Sequence, residues 1–444
     1  MIRPLPFLAT ATLSLLIVGF AGCSSSDGGG STPTPGDDAS TPDGTTPPPG
    51  TDGSVPGTDG GGGSDGSASD GGDTDAASDA GADATLDAGA DAGPPAVRFV
   101  GRFDTRDATG PRMAWPGSRV IARFDGTDAT VKLTQVDGFS GGPSYFNVIV
   151  DGAVGAPITV TGVSQDYAVA AGLAAGTHVV EIEKRTEANL GTVRFEGFTF
   201  QGGAGLLPPP AAPARRIEVL GDSTIDGFGV EGNVNNTCMN DAPPQFHNVR
   251  QGMAFKVAST LGADLHLMAY SGKGVFRNED RGDNQLFELL YGRTLPEDGT
   301  SVWSFAGYTP DAVVIALGGA DYTQVNGDAA PSEANVKAKY DALVGKVRTA
   351  YPNAYIFCTV WSQIKDDGAP AGYTPRTSLT NILNGAGGVV TTRKAGGDAK
   401  IFFHLFAQAA YPQDETGCYY HANDAHHTAK AAELVTVIKN ATGW

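Results

Sequence analysis

The spacing of apolar residues changes character near residue 216. Across residues 97–205, short apolar runs alternate with polar positions and end at Gly, Asp, Pro or Ser. In the segment ATVKLTQV, the apolar Ala129, Val131 and Leu133 alternate with polar neighbours, and this period is typical of a half-buried strand. The pair Asp151–Gly152 favours a hairpin turn. About eight such segments predict an all-β sandwich, a jelly roll, over this part of the chain.

In the second part, apolar strands alternate with helices. The strand-like segments are residues 217–221, 265–270, 312–317, 354–360 and 401–406. The clearest helical pattern covers residues 332–350, and Asn423 or Asp424 can cap a final helix. This alternation predicts an α/β fold over residues 217–444, in which a doubly wound parallel sheet lies between two layers of helices. The proline-rich residues 206–216 are expected to form a stiff linker between the two parts.

The first 96 residues have a different composition. An apolar run, Phe7–Phe20, follows Arg3 and is too short to span a bilayer, which predicts a signal peptide over residues 1–22. Cys23 resembles a bacterial lipobox cysteine, so we expect lipidation and anchoring to the outer or cell-surface membrane. An ordinary signal peptide with an incidental cysteine is the alternative. Residues 23–96 are mainly Asp, Gly, Ser, Thr, Ala and Pro, which predicts a disordered tether.

The net charge of the chain gives no indication of the substrate or of a binding partner of the folded part. The chain has a formal net charge of −19, but residues 24–95 contain 14 Asp and no Lys or Arg. Residues 97–444 hold 35 acidic against 29 basic residues, and the basic residues form no patch. This pattern argues against a nucleic-acid partner. We expect an exported monomer, attached by lipid to a bacterial membrane and facing the periplasm or the cell surface.

Candidate chemistry follows the predicted parallel strands, at the edge where such sheets bind ligands. Ser223 follows the first strand in VLGDST, and Gly272 follows the second in AYSGKG. Asp321 ends ALGGAD after the third strand, and His421 lies in GCYYHANDAHH before the last helix. Acyl transfer needs a nucleophilic hydroxyl, a base and donors for the oxyanion. The set predicts that Ser223 attacks, and that the backbone N–H groups of Ser223 and Gly272 stabilise the anion.

Each of these residues also has an ordinary structural explanation. Gly-Asp-Ser is usually a turn, and a loop histidine is usually a surface residue. Cys418, His421, His426 and His427 would be zinc ligands in another interpretation, but the spacing lacks a CxxC pair. The placement of the candidates at successive strand ends favours catalysis without a metal or a cofactor.

Four sequence blocks resemble those of SGNH (GDSL-type) hydrolases. They are VLGDST, AYSGKGVFRN, PDAVVIALGGAD and GCYYHANDAHHTAKAAEL. The preceding sandwich and the wording HLMAYSGKGVFRN resemble carbohydrate esterase family two, and the resemblance covers residues 97–444. It implies an esterase that removes O-acetyl groups from polysaccharides such as xylan or mannan. It also implies that Ser223 is the nucleophile, Gly272 an oxyanion donor and His421 the base.

Two positions depart from the family pattern. Family members often have Asn at the position of Ala320, where its side chain donates to the oxyanion; Asn278 is the nearest substitute. Asp321 is expected to accept hydrogen bonds from the serine loop rather than to act in catalysis. Hydrolases of this class often have Asp three residues before the histidine, where this chain has Cys418. We therefore expect a Ser–His dyad whose imidazole is oriented by a backbone carbonyl.

The chain has four cysteines. If Cys23 carries lipid, three remain. Cys358 lies in the apolar segment AYIFCTV and is expected to be a buried free thiol. Cys238 and Cys418 lie in loops that flank the predicted site, and we hypothesise that they form a disulfide.

Two other functions stay open at this point. The first is a non-catalytic carbohydrate-binding lipoprotein, in which Ala320 marks a decayed site. The second is an esterase that acts on O-acetyl groups of peptidoglycan or of a capsule. A sugar-stacking platform has the candidates Trp303, Trp361, Tyr419 and Tyr420.

Overall fold

The computed structural model describes residues 97–138, 142–235, 237–239 and 242–444. The predicted signal peptide, the lipidation site at Cys23 and the predicted tether lie outside these residues. Within the described ranges, no helix is long and apolar enough to cross a bilayer.

The first part of the described chain forms two antiparallel sheets. Its strands are β1 (Arg98–Val100), β2 (Arg112–Met113), β3 (Arg119–Asp125), β4 (Asp128–Gln135), β5 (Ser144–Val150), β6 (Ala153–Val154), β7 (Ile158–Val160), β8 (Gln165–Ala170), β9 (Thr177–Lys184), β10 (Val193–Gln201) and β11 (Gly205–Leu207). One sheet has the order β1-β3-β9-β5-β6, with β11 beside β3 and β7 beside β5, and the other has the order β2-β10-β4-β8. Their inner faces share one apolar core, which confirms the predicted β-sandwich.

The local pattern explains how this sandwich forms. Ala129, Val131 and Leu133 in β4 are all buried, as the alternation predicts. Asp151 and Gly152 have φ angles of 49° and 81° and connect β5 to β6. Positive φ at both central residues is the geometry of a type I′ hairpin turn, which Asp-Gly pairs adopt at low cost.

The second part forms a five-stranded parallel sheet. Its elements are β12 (Arg215–Gly221), α1 (Met253–Leu261), β13 (Ala263–Ala269), α2 (Phe287–Tyr291), β14 (Ala312–Ala316), α3 (Glu333–Ala350), β15 (Tyr355–Val360), α4 (Pro375–Asn384), α5 (Val389–Ala395), β16 (Ile401–Leu405) and α6 (Asp424–Thr442). The strand order is β13-β12-β14-β15-β16. Helices α1 and α6 pack on one face, and α2, α3, α4 and α5 pack on the other. The predicted three-layer, doubly wound α/β fold is confirmed.

The two longest helices begin at polar caps. The side chain of Ser332 accepts a hydrogen bond from the N–H of Asn335 at the start of α3. Of the two candidate caps for α6, Asn423 is the one that acts, since its side chain accepts from the N–H of His426. These caps fix where each helix begins, and in α6 the cap lies two residues after His421.

The connection between the two parts is shorter than the predicted linker over residues 206–216. Leu206 and Leu207 belong to β11 and pair with β3, while Arg215 and Arg216 begin β12. Only residues 208–214 lie outside the strands. Pairing stops at Pro208 because proline has no N–H to donate to a sheet.

The sandwich and the parallel sheet meet through buried charge. Nη1 of Arg102 in the sandwich donates to the carbonyl oxygens of Tyr291, at 2.7 Å, and Arg293, at 2.8 Å. Its Nη2 lies 3.3 Å from Oε1 of Glu218, which is fully buried in β12. The Tyr291 hydroxyl donates to the same carboxylate at 2.8 Å. The sandwich therefore supplies the positive charge that allows the Glu218 carboxylate to be buried in β12, the strand that leads to Ser223.

We expect Arg102→Ala to lower the free energy of unfolding by about 3–5 kcal/mol, because it leaves the Glu218 carboxylate buried without its cation. Urea denaturation followed by circular dichroism measures this change. Arg106→Ala is the matched control, since Arg106 is a nearby arginine whose side chain is 46% exposed. A loss for Arg102→Ala no larger than that of the control would contradict the prediction.

Candidate active site

Ser223 lies where the first strand of the parallel sheet ends. β12 stops at Gly221, and a Cβ at that position would approach the Ile225 side chain to 2.1 Å, so glycine permits the close turn. Oδ1 of Asp222 then accepts hydrogen bonds from the N–H of Thr224, at 3.0 Å, and from its hydroxyl, at 2.6 Å. These bonds close the turn on the far side of the serine. The corner leaves the Ser223 hydroxyl at the carboxyl edge of the sheet.

His421 contacts this hydroxyl. Its Nε2 lies 2.8 Å from Oγ of Ser223. Its Nδ1 lies 3.2 Å from the carbonyl oxygen of Tyr419. Because a carbonyl only accepts, Nδ1 carries the proton and Nε2 is free to accept from the serine. This is the geometry of a Ser–His dyad oriented by a backbone carbonyl.

The loop that carries His421 has an unusual backbone. Tyr419 and Tyr420 have φ angles of 53° and 59°, in the left-handed region that residues with side chains rarely adopt. This conformation turns the carbonyl of Tyr419 back toward the imidazole. Backbone strain of this kind persists only where the surrounding structure holds it in place.

A disulfide provides part of that restraint. Cys238 and Cys418 are bonded across 180 positions of sequence, as hypothesised from their flanking loops. The N–H of Tyr419 donates to the carbonyl oxygen of Cys238 at 2.9 Å, and the N–H of Cys418 donates to that of Gly229 at 2.9 Å. The histidine loop is therefore tied to the loop that follows the serine. Cys358 is a buried free thiol, as expected.

The surroundings of His421 keep its imidazole neutral. Removal of water around the ring lowers the pKa of His421 to about 4, although its hydrogen bond to the Tyr419 carbonyl opposes this shift. The Phe228 ring packs with its centroid 4.5 Å from that of the imidazole. At neutral pH the side chain is therefore a base able to accept a proton.

Gly272 lies beside the dyad. Ser223, Gly272 and His421 all line one open cleft of about 550 Å³. Gly272 has a φ of 71°, which favours glycine at this position. A backbone N–H near a nucleophile in an accessible cleft is the group that an oxyanion needs. Ala320 lines the same cleft and offers no side-chain donor.

The suggestion that Asn278 replaces the missing donor is wrong. Asn278 is buried, and its Oδ1 accepts from the N–H of Gly274 at 3.1 Å. Its Nδ2 donates to the carbonyl oxygens of Asp283, at 2.9 Å, and Gln285, at 3.1 Å. Both amide hydrogens are used within this loop, so none is left for an oxyanion.

Asp321 also acts on this loop instead of on the serine loop. Its carboxylate accepts from the backbone N–H groups of Val275, Phe276 and Arg277 at 2.7–3.0 Å. Burial raises the pKa of Asp321, and these three hydrogen bonds oppose the shift. Asp321 is a structural carboxylate, as expected, but the expected partner was wrong: it binds residues 275–277 and not the serine loop. Asp321 and Asn278 both stabilise the segment that presents Gly272.

Two of the four candidate stacking residues lie at the cleft. Tyr419 and Tyr420 line it and are 50% and 42% exposed. Trp361 is fully buried against Phe406, so it is a core residue. Trp303 packs over the guanidinium of Arg102 at the domain interface, 4.8 Å from the ring centroid. Neither tryptophan lines the cleft.

The zinc interpretation finds no support among the described residues, where no group of three or more His, Cys, Asp and Glu side chains could hold a metal ion. Cys418 is in the disulfide. Nε2 of His426 lies 2.7 Å from the Ser362 hydroxyl, and Nδ1 of His427 accepts from the N–H of Met253.

Gln363 is a further residue of the site and was not predicted from the sequence. Its Nε2 donates to the carbonyl oxygen of Tyr420 at 2.9 Å, and its Oε1 accepts from the N–H of Ala422 at 3.2 Å. These two bonds bracket His421 on either side. Gln363 follows β15, so its position at the end of a parallel strand was the signal that could have identified it.

A serine after the first strand, a histidine before the last helix and an open parallel sheet define an SGNH (GDSL-type) hydrolase. The family model for the GDSL-like lipase/acylhydrolase family matches residues 219–433. The model for the carbohydrate esterase 2 N-terminal region matches residues 99–210.

Relatives support the same assignment. The cellulase/esterase CelE of Acetivibrio thermocellus is 34% identical over 354 residues, which are 79% of this chain but only 40% of that protein. An acetylxylan esterase/glucomannan deacetylase of Cellvibrio japonicus is 24% identical over 352 residues, 79% of this chain and 90% of the relative.

A solved structure covers the same region. The family two carbohydrate esterase from Clostridium thermocellum, in complex with cellohexaose, has a TM-score of 0.69 and 33% identity. The match covers 78% of this chain and 99% of that one. The chain belongs to carbohydrate esterase family two, as the sequence resemblance indicated, and its named relatives are carboxylic ester hydrolases.

We expect kcat/KM for a small acetyl ester to fall on the acid side with a midpoint near pH 4, and to change little between pH 5 and 7. The base must be neutral, and the lowered pKa of His421, about 4, keeps it neutral above that value. Initial rates across pH 3.5–8, with circular dichroism at each pH to verify folding, test this. An acid limb centred near 6.5 would contradict it.

We expect Ala320→Asn to raise kcat about tenfold or more, because one oxyanion donor contributes about 10²–10³ to kcat in a known serine hydrolase and a new side chain recovers part of that. Ala320→Leu is the matched control, since leucine adds similar volume without a donor. Equal rates for the two variants would show that filling the space, and not the amide, causes any change.

Proposed function

We propose that this protein removes O-acetyl groups from polysaccharides of the xylan or mannan type through an acetyl-enzyme. The observation that carries the proposal is the 2.8 Å contact between Nε2 of His421 and Oγ of Ser223 in an open cleft. A neutral imidazole with its other nitrogen protonated is the base that a serine nucleophile requires.

In the first step, Nε2 of His421 takes the hydroxyl proton of Ser223 while Oγ bonds to the acetyl carbonyl carbon. The carbonyl electron pair moves to oxygen, and the N–H groups of Ser223 and Gly272 donate to this anion. The electron pair then returns, the bond from carbon to the sugar oxygen breaks, and His421 gives its proton to that oxygen. The sugar hydroxyl leaves, and the acetyl group remains on Ser223.

The second step repeats the first with water. His421 takes a proton from water as the water oxygen bonds to the acetyl carbon, and the same N–H groups stabilise the second anion. The bond to Oγ breaks, Ser223 regains its proton from His421, and acetate leaves. The Tyr419 carbonyl holds the imidazole in one orientation throughout, and no metal or cofactor takes part.

The proposed substrate class has two supports. One relative is named an acetylxylan esterase and glucomannan deacetylase, and a solved relative was captured with cellohexaose. In this chain, the exposed rings of Tyr419 and Tyr420 flank the dyad at the mouth of the cleft. Aromatic faces beside an open cleft suit the apolar faces of sugar rings.

We further propose that the protein is exported as a monomer and anchored by lipid at Cys23. The signal-like start and the lipobox-like cysteine support this, although both lie outside the described residues. The Cys238–Cys418 disulfide supports an oxidising compartment.

One alternative is a protein that binds acetylated polysaccharide without hydrolysing it. Ala320 favours this alternative, because it lines the cleft without a side-chain donor for the oxyanion. The alternative predicts binding without acetate release. An esterase for peptidoglycan or capsule would instead release acetate from those polymers and not from xylan.

We expect Ser223→Ala to lower acetate release from acetylated xylan and glucomannan at least about 10³-fold, because the nucleophile is removed while oxyanion donors and binding remain. Acetate release is measured on a panel that also contains O-acetylated peptidoglycan. Thr224→Ala is the control for local packing, since Thr224 lies beside Ser223 but takes no part in the proposed steps.

Each result on this panel has a distinct meaning. Undiminished release by folded Ser223→Ala removes Ser223 from the mechanism. Release from peptidoglycan alone moves the substrate to the bacterial wall. Binding of xylan without any release by the wild-type protein favours the non-catalytic alternative.

A further inference from the structure

The residue before Gly272 is held by the sandwich. The Ser271 hydroxyl donates a short hydrogen bond to Oε1 of Glu187. Glu187 is 1% exposed and lies between β9 and β10, at the start of a short 3₁₀ turn. The two residues are 84 positions apart in sequence. A side chain of one domain therefore contacts the segment of the other domain that presents the oxyanion donor.

The geometry of that segment makes the contact consequential. The carbonyl group of Ser271 and the N–H of Gly272 belong to one planar peptide unit, so a rotation at Ser271 moves the donor with it. The carbonyl oxygen of Gly272 accepts from the N–H of Glu279 at 2.8 Å, which restrains the far side of the turn. Glu187 restrains the near side.

Glu187 is itself rigidly placed. Nζ of Lys184 donates to the carbonyl oxygens of Glu187, at 2.6 Å, and Thr186, at 3.0 Å. Lys184 is fully buried. The N–H of Val249 in the hydrolase domain donates to the carbonyl oxygen of Arg185 at 3.2 Å. The loop that carries Glu187 is therefore fixed to both domains.

The charge at this position suits a structural acceptor. Burial raises the pKa of Glu187, while the hydrogen bond from Ser271 and the charge of Lys184 oppose the shift. Whether ionised or protonated, a carboxyl group keeps an oxygen that can accept the hydrogen bond from the Ser271 hydroxyl.

We propose that Glu187 is a positioning residue of the active site: by holding Ser271, it aims the N–H of Gly272 at the oxyanion. The sandwich therefore contributes a side chain that supports the catalytic centre of the hydrolase domain. This inference depends on the proposed function for its catalytic consequence, but the positioning itself is a property of the folded chain.

The experiment uses Glu187→Met, Glu187→Gln and Ser271→Ala in the full chain, with p-nitrophenyl acetate as substrate. Methionine is close to glutamate in size but cannot accept the hydrogen bond from Ser271, and circular dichroism verifies the folding of each variant. We expect Glu187→Met and Ser271→Ala each to lower kcat about tenfold or more with KM changed less than about twofold, since the donor acts in the transition state. Glu187→Gln retains an acceptor and should stay within about twofold of wild type.

Two comparisons separate positioning from general damage. Glu183→Met is the matched control, because Glu183 is equally buried at the same interface but contacts Asn147 and Arg250 instead of Ser271. It should leave kcat unchanged. The double variant Glu187→Met/Ser271→Ala should be no slower than the slower single variant, because both changes remove one hydrogen bond.

Backbone hydrogen exchange of residues 271–274, followed by mass spectrometry, gives a result independent of turnover. Exchange should be faster in Glu187→Met and Ser271→Ala than in wild type, Glu187→Gln and Glu183→Met. A folded Glu187→Met variant with wild-type kcat, or with unchanged hydrogen exchange at residues 271–274, would overturn the inference. If Glu187→Met does not fold, either of these results for Ser271→Ala would overturn it. If the wild-type protein has no Ser223-dependent turnover, the proposed function fails. The hydrogen-exchange data then test by themselves whether Glu187 positions residues 271–274.

Discussion

The hydrogen bond between His421 and Ser223 joins residues 198 positions apart, and the proposed chemistry depends on it. The parallel sheet brings the two near each other, because the carboxyl ends of its strands share one edge. Their final alignment depends on weaker restraints. The disulfide at Cys418, the hydrogen bond that Gln363 donates to Tyr420 and the one it accepts from Ala422 hold a strained loop in the conformation that directs a carbonyl at the imidazole. A Ser–His dyad without a carboxylate needs such restraint, since no third side chain fixes its orientation.

The two domains share buried charge at their boundary, and this distinguishes them from modules joined by a flexible tether. Arg102 enters from the sandwich to pair with Glu218 in β12, the first strand of the parallel sheet. Glu187 enters from the same side to contact the segment beside Gly272. A charge that stays buried after its partner is removed is destabilising, so each domain is suited to the presence of the other. This agrees with the adjacent family matches over residues 99–210 and 219–433.

Much of the polar chemistry near the cleft serves the backbone instead of the substrate. Asp321, Asn278 and Glu187 each accept a hydrogen bond from the segment around Gly272. Because Ala320 supplies no side-chain donor, the backbone N–H groups are the donors that remain for an oxyanion. A backbone N–H stays directed at an oxyanion only when its loop is rigid. The three buried side chains therefore share one role, which is to restrain the loop that contains Gly272.

The sequence by itself determined the elements and the reactive residues, because these leave local signals. Alternating apolar residues revealed β4, helical periodicity revealed α3, and positions at strand ends predicted Ser223, Gly272 and His421 as candidate site residues. The tertiary structure alone decided the partners of the buried polar groups. Asn278 bonds within its own loop, Asp321 bonds to the segment after β13, and Glu187 reaches Ser271 across the domain boundary. Hydrogen bonds between distant residues leave no periodic trace in a sequence, since they depend on the relative placement of whole elements.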